Sequence, residues 1–343
     1  MSTKIKILDK GTANQIAAGE VVERAASVVK ELVENSIDAQ SKCIDIKIKG
    51  GGLKEIRVID DGTGMSKEDI ALSLARHGTS KITMVTDLNH LKTLGFRGEA
   101  LPTIASVSKM ELISKRPQDL EGSFLRAVGG EIERIQEIGA PDGTEVRVYD
   151  LFYNTPARLK YTNSTSQENS KIIDTINSLA LAYPNISFSL DIEKRNVFRS
   201  SGRNNLLEVV GEIYGAKVLH NFIELDYESE YINIKGLLAN PTYNKSTKYH
   251  EIFFVNKRLV QSKLLSRAVE EGYNTFLPKG RYPVCILNIY INQSSIDINV
   301  HPTKKNLRFS DEDEVYNIIK SVVNKRLTSR EVTNNYIHTP LNN

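Results

Sequence analysis

The chain has 343 residues, of which 40% are hydrophobic and 25% charged, with a formal net charge of +3 at pH 7. That length accommodates about two domains with real cores. The mild charge excludes the strongly basic balance of a general nucleic-acid binder, so any contact with DNA must come from a local patch. No run of about 18 apolar residues occurs, which speaks against a helical membrane span.

Residues 1–20 lack the apolar segment of a secretory signal. From Glu20 onward Val22, Ala25, Val29 and Leu32 recur at three- and four-residue spacing, the pattern of an amphipathic helix. At about 100° per residue, Glu20, Arg24, Ser27, Glu31, Asn35 and Asp38 gather on the other side. CIDIKIK (43–49) alternates Ile44, Ile46 and Ile48 with polar residues and predicts a strand. GGG (50–52) supplies a turn, and KEIRVID (54–60) returns as a second strand ending in an acid. Residues 76–99 show weak apolar order among Gly78, Gly95 and Gly98, which predicts a lid or binding loop rather than a spacer.

GTEVRVYDLF (143–152) is a further strand with Val146 and Val148 on one face. The polar run 154–171 reads as a loop before a helix. A second unit begins near residue 205, with strands at 231–239, 251–256, 283–291 and 295–300 and helices at 261–273 and 311–327. The last residues, 333–343, are polar and aperiodic, as at the start of a linker. Mixed elements joined by short turns predict an α+β fold, a sandwich with helices on one face of a largely antiparallel sheet. Cys43 and Cys285, far apart in sequence, read as buried reduced thiols. The six histidines are scattered and show no metal-ligand spacing.

No G-x-x-x-x-G-K-[ST] loop is present. Glycines do cluster in DDGTGM (60–65) and LGFRGEAL (94–101). Taken singly, each is a tight turn. Chemically, such glycines let backbone N–H groups approach phosphates, and an acid at a strand end can accept a hydrogen bond from a base amine.

Order and spacing are more specific. NQIAAGEVVERAASVVKELVENSIDA (14–39), DDGTGM, RHGTSKI (76–82), LGFRGEAL, GTEVRVYDLFYNTPAR (143–158) and INVHPTKKNLRF (298–309) follow one another along nearly the whole chain. In this order they resemble the N-terminal ATPase region of MutL-type DNA mismatch-repair proteins. The superfamily is shared with gyrase B, sensor histidine kinases and the heat-shock chaperone ATPase. The resemblance implies a two-layer α/β sandwich ATP-binding domain over 1–204. A smaller α/β domain of the ribosomal-S5-like type would follow over 205–331, and a flexible linker would start at 332–343.

By the same resemblance Glu31 is the general base that activates water, and Asn35 is the Mg²⁺ ligand. Glu34, about 60° away on the helix, is a supporting or surface acid, and Asp38 is a neighbour of open role. Asp60 receives the adenine amino group, supported by Thr144 and by Gly62 and Gly64. Thr79, Ser80, Gly95, Phe96, Arg97, Gly98 and Glu99 surround the phosphates. Lys304, rather than Lys305, reaches the γ-phosphate from the second domain.

Three positions depart from the family pattern. Ala25 replaces a proline in the first helical turns, Gln40 replaces a glycine that would end the helix, and Gly78 stands where alanine is common. At 40 the turn is expected to differ slightly, and at 78 the lid is expected to loosen.

Lys245, Lys248, Lys257, Arg258, Lys263 and Arg267 lie in residues 245–269 with Glu251 as the opposing acid. Such a patch suits DNA backbone contacts without sequence reading, with Lys263 and Arg267 the first to test. The function implied is slow Mg²⁺-dependent ATP hydrolysis that drives dimerisation of the N-terminal region and couples it to DNA. Partners by resemblance are a mismatch-recognition protein of the MutS type and downstream repair factors. No endonuclease domain is expected in this chain and no membrane contact. The location is cytoplasmic and nucleoid-associated in a bacterium, nuclear in a eukaryote. Two rivals are an ATP-responsive DNA-binding matchmaker that does not hydrolyse, and a gyrase-like strand-passage ATPase. The MutL-specific NQIAAGEVVER opposes the second.

Overall fold

The computed structural model describes residues 22–75, 78–79, 93–95, 98–297 and 307–337. They divide into two compact units, the first running to residue 180 and taking up 184–204, the second formed by 181–183 and the chain from 205.

In the first unit, helix α1 spans Ala25–Asp38. Its apolar face is Val28, Val29, Leu32 and Val33, all buried, and each such side chain contributes about 1.5–3 kcal/mol on leaving water. Ala25 is its first residue, where alanine and proline are both tolerated. The helix closes in a Schellman turn. The Gln40 N–H donates to the Ile37 carbonyl at 3.0 Å and the Ser41 N–H to the Ser36 carbonyl at 3.2 Å. Gln40 takes φ 63°, the left-handed conformation that glycine would adopt there. Residue 40 therefore keeps a glycine-type turn, with a strain of about 1 kcal/mol.

The strands of this unit are β1 (Cys43–Lys49), β2 (Glu55–Asp60), β3 (Lys109–Lys115), β4 (Gly122–Val128), β5 (Glu131–Ile138), β6 (Gly143–Tyr149), β7 (Ser187–Ile192) and β8 (Arg195–Arg199). They form one eight-stranded sheet in the order β5-β4-β3-β6-β2-β1-β7-β8. Only β1 and β7 pair in parallel. Alternation assigns the faces. Ile44, Ile46, Ile48, Ile56, Val58, Met110, Leu112 and Val148 are buried, and α1 packs on β2. The opposite face carries ion pairs, Arg57 to Glu145 at 2.5 Å, Arg147 to Glu111 at 3.4 Å and Arg126 to Glu133 at 3.1 Å. An apolar face under helices and a charged face outside make the expected two-layer α+β arrangement.

Short helices α2 (Lys67–Leu72) and α3 (Ala100–Ser106) follow β2 and precede β3. The stretch 154–171, expected from sequence to be a loop, is largely helical, with α4 at Pro156–Lys160 and α5 at Thr165–Ala182. Its Ser/Thr/Asn-rich residues run into the largely exposed first turn of α5, and the buried apolar stripe Ile172, Ile176 and Ala180 begins only afterwards. The start of α5 is fixed by a capping box. Ser164 Oγ accepts from the Gln167 N–H at 3.3 Å, and Gln167 Oε1 accepts from the Ser164 N–H at 3.2 Å.

The second unit holds α6 (Leu206–Tyr214), then β9 (Phe222–Glu228), β10 (Ile232–Ala239), β11 (Glu251–Val255), β12 (Arg258–Val260), α7 (Lys263–Gly272) and β13 (Cys285–Ile291). A small pair, β14 (Ile296–Asp297) and β15 (Arg308–Phe309), precedes α8 (Glu312–Ile337). The sheet order is β12-β11-β13-β10-β9. Its core joins Leu225, Ile234, Phe253 and Leu287 to Val269 of α7 and to Ile319 and Val323 of α8. Helix α8 runs through Ile337 and so enters the stretch 332–343. Cys285 is buried, whereas Cys43, expected to be buried, is exposed at the start of β1.

Candidate nucleotide-binding site

Strand β2 ends in Asp60, which alternation turns toward the helical face. Its side chain is 8% exposed. Ser36 Oγ, on the inner side of α1, donates to Asp60 Oδ2 at 2.6 Å, and the Gly62 N–H donates to Oδ1 at 2.9 Å. Burial raises the Asp60 pKa above the ordinary carboxylate range, opposed by these donors, which favour the charged form. Ser41 Oγ donates to the Ser36 carbonyl at 2.7 Å, which ties the helix end to the same corner.

The adjacent strands complete that corner. Thr144 of β6 is the register partner of both Asp60 and Ser114. Ser114 Oγ donates to the Gly143 carbonyl at 3.0 Å and accepts the Met65 N–H at 2.8 Å, and Thr144 Oγ1 lies 2.8 Å away. A serine hydroxyl has one proton and two lone pairs. With its proton on Gly143, Ser114 accepts from Thr144. The glycines of DDGTGM make room for the protein's own backbone. A Cβ at Gly62 would lie 2.8 Å from the Ala39 carbonyl, and one at Gly64 (φ +66°) would lie 2.1 Å from the Lys115 carbonyl.

Glu31 and Asn35 stand one turn apart on α1 and are both half-buried. Lys30 Nζ is 2.8 Å from Glu34 Oε2 and 3.6 Å from Glu31 Oε1, so Glu34 holds the closer ion pair. No group of three or more His, Cys, Asp or Glu that could hold a metal occurs among the described residues. A single amide oxygen at Asn35 nevertheless fits Mg²⁺, which keeps several waters and takes substrate phosphates as ligands. Asp38, whose role the sequence left open, accepts two backbone N–H groups, from Leu94 at 2.9 Å and from Gly95 at 3.1 Å. Gly98 has φ +60° and leads into Glu99, the residue that caps α3. Thr79 is half-buried. A Cβ at Gly78 would lie 2.6 Å from the Leu72 carbonyl, so the alanine usual in the family does not fit this backbone unshifted. Ser80, Phe96, Arg97 and Lys304 lie outside the described residues.

Within the second unit, Lys263 is the exposed first residue of α7, a position where the helix dipole disfavours a cation. Arg267 is 74% exposed, but its Nε lies 3.0 Å from Glu271, which also takes Lys320 at 2.9 Å. Lys248 pairs with Glu270. The carboxylates at 270 and 271, just beyond the basic stretch, therefore offset part of its charge. Burial pushes Glu251 up to about 7 while Ser266 donates to it.

Ser36, Ser41 and Ser114 are absent from the sequence-derived set. Their signal is small polar residues placed on otherwise apolar faces, Ser36 beside Asn35 and Ser114 in step with Met110 and Leu112.

Comparison with known proteins identifies the family. Residues 23–129 match the family described as histidine kinase-, DNA gyrase B-, and HSP90-like ATPase. Residues 210–328 match the family described as DNA mismatch repair protein, C-terminal domain. The DNA mismatch repair protein MutL of Symbiobacterium thermophilum is 47% identical over 312 residues, 91% of this chain and 49% of that protein. A solved Aquifex aeolicus MutL ATPase domain complexed with ADP is 30% identical, with TM-score 0.61, covering 79% of this chain and 93% of that one. The crystal structure of the N-terminal domain of a DNA repair protein aligns with TM-score 0.78 at 26% identity, over 93% of this chain and 99% of that one. The first unit thus contains an ATPase domain of the histidine kinase, gyrase B and HSP90 type, matched over residues 23–129. The chain belongs to the MutL family of DNA mismatch repair proteins, and it spans about half the length of the curated relatives it matches. No helix among the described residues is long and apolar enough to cross a membrane.

Proposed function

We propose that this chain binds ATP with Mg²⁺ and hydrolyses it slowly, as a switch that dimerises the N-terminal region and couples it to DNA in mismatch repair. The observation that carries this reading is the buried Asp60 carboxylate, set by Ser36 and the Gly62 N–H beside Thr144, on the sheet face that α1 covers. A partly desolvated acceptor of this kind suits the exocyclic amine of adenine. Glu31 orients water toward the γ-phosphorus and takes its proton as the new P–O bond forms and the bond to the β-phosphate oxygen breaks, giving ADP and phosphate. Asn35 would hold Mg²⁺ from the protein side, and the ion would supply neutralising charge at the phosphates. Replacing Asp60 by alanine is expected to weaken ATP binding by about 10–100-fold, the value of a hydrogen bond to a charged group. Calorimetric titration checks this, and an unchanged affinity refutes the adenine assignment.

DNA contact rests on Lys263, a cation held at a helix start that disfavours it. In Lys263→Glu, the slope of log affinity against log salt is expected to shrink by about one unit for each phosphate that is no longer neutralised. Arg267→Glu should do less, because Glu271 already offsets Arg267. A slope unchanged in Lys263→Glu removes that residue from the interface. By the same reading the partners are a mismatch-recognition protein of the MutS type and downstream repair factors.

A further inference from the structure

Residues 94 and 95, in the glycine-rich stretch before α3, are tied to α1 by the Asp38 side chain. Asp38 is the last residue of α1, and its two carboxylate oxygens accept separately from consecutive amides, Oδ1 from Leu94 and Oδ2 from Gly95. Thr93 Oγ1 donates to the Gly95 carbonyl at 2.8 Å, which closes the same peptide into a compact turn. The location is unfavourable for the helix alone. The C-terminus of a helix carries partial negative charge, and a carboxylate in its last turn is repelled. Asp38 thus opposes the intrinsic preference of α1, while two N–H donors from a segment 56 and 57 residues away in sequence compensate for it.

We propose that Asp38 is a positioning residue, a two-pronged clamp that fixes the Leu94–Gly95 backbone relative to the α1 face bearing Glu31 and Asn35. This inference rests on the nucleotide reading above and deepens it. The adenine corner at Asp60 is built from Ser36, Gly62, Ser114 and Thr144 and uses no atom of Asp38. Loss of the clamp therefore acts on the phosphate end of a nucleotide and spares the base end.

Asp38→Asn tests this. An amide offers one oxygen where two are used and turns an N–H₂ toward a backbone N–H, so at most one of the two bonds survives. The variant removes a charge from the helix C-terminus, and its melting temperature should equal or exceed that of the wild type. Its ATP dissociation constant should rise about tenfold, the order expected for one lost hydrogen bond to a charged group. Adenosine, which has no phosphates, should bind with wild-type affinity. Amide hydrogen exchange in the ligand-free protein should accelerate at Leu94 and Gly95. Parallel loss of ATP and adenosine binding with a lower melting temperature would mark Asp38 as a fold anchor and overturn the proposal. So would unchanged ATP affinity or unchanged exchange at the two amides. A wild-type protein that binds neither ATP nor adenosine overturns the nucleotide reading and the clamp's role in it. The exchange data still report separately whether the two bonds exist.

Discussion

Replacing Glu31 by alanine is expected to lower phosphate release from ATP by about 10²–10⁴-fold, the contribution of a positioned general base, with ATP still bound. Glu31 lies within α1 with its side chain 29% exposed, and its contact with Lys30 is 3.6 Å long. An ion pair so placed adds little to stability, and alanine is the strongest helix former, so α1 remains folded. A fall in rate then reports chemistry. The measurement is phosphate release with Mg²⁺ at saturating ATP for the wild type, Glu31→Ala and Glu34→Ala. Glu34, paired with Lys30 at 2.8 Å, should tolerate alanine. Equal non-zero rates in wild type and Glu31→Ala would remove Glu31 as the base. Tight ATP binding with no turnover in the wild type would favour the non-hydrolysing matchmaker instead.

The second large effect is expected at Gly143. A Cβ there would lie 2.0 Å from the Asp60 carbonyl, and φ is +106°. Neither conflict can be relieved by rotating a side chain, because the obstacle is the backbone of β2 at the residue that carries the proposed adenine acceptor. Backbone strain of about 1–3 kcal/mol adds to overpacking of about 1–3 kcal/mol. That is a large part of a typical stability of about 5–15 kcal/mol. Gly143→Ala should therefore melt about 10 °C lower or more and bind ATP more weakly. Gly139→Ala is the control. A Cβ at Gly139 would meet nothing within 4 Å, so the stability of that variant should stay within about 0.5 kcal/mol of wild type. A wild-type melting temperature in Gly143→Ala would show that β2 and β6 do not approach as described.

Elements with a strong period are legible in the sequence. CIDIKIK and KEIRVID alternate cleanly, and α1 repeats Val, Ala and Leu at helical spacing. Strands β3, β4, β5, β7 and β8 of the first unit, and β9, β12 and β15 of the second, are missing from the sequence-derived elements. In β5 all eight residues are exposed or half-buried, so no apolar alternation marks it. In β3 the third inward residue is Ser114, which interrupts the apolar set for the sake of Thr144 and Met65. The helical start within 154–171 is hidden because its solvated turns have loop composition. Its S-x-x-Q capping box is the available signal. At the site, helical geometry places Glu31 and Asn35 on one face. The resemblance, not the spacing, supplies their roles. What sequence cannot supply is pairing across distance. Ser36 with Asp60, Ser114 with Thr144 and Asp38 with Leu94 and Gly95 are all products of tertiary folding, and none has a local signature.

The sheet order has a practical consequence. Strand β6 enters the chain after β5 yet lies between β3 and β2, in the middle of the sheet. A fragment ending at residue 129, where the ATPase family match stops, would hold β2 and β3 with two unsatisfied ladders of N–H and C=O groups facing an empty lane. Open edges of that kind recruit strands from neighbouring molecules. A soluble minimal fragment of the first unit must therefore extend past β6, and through β7 if β1 is also to be covered.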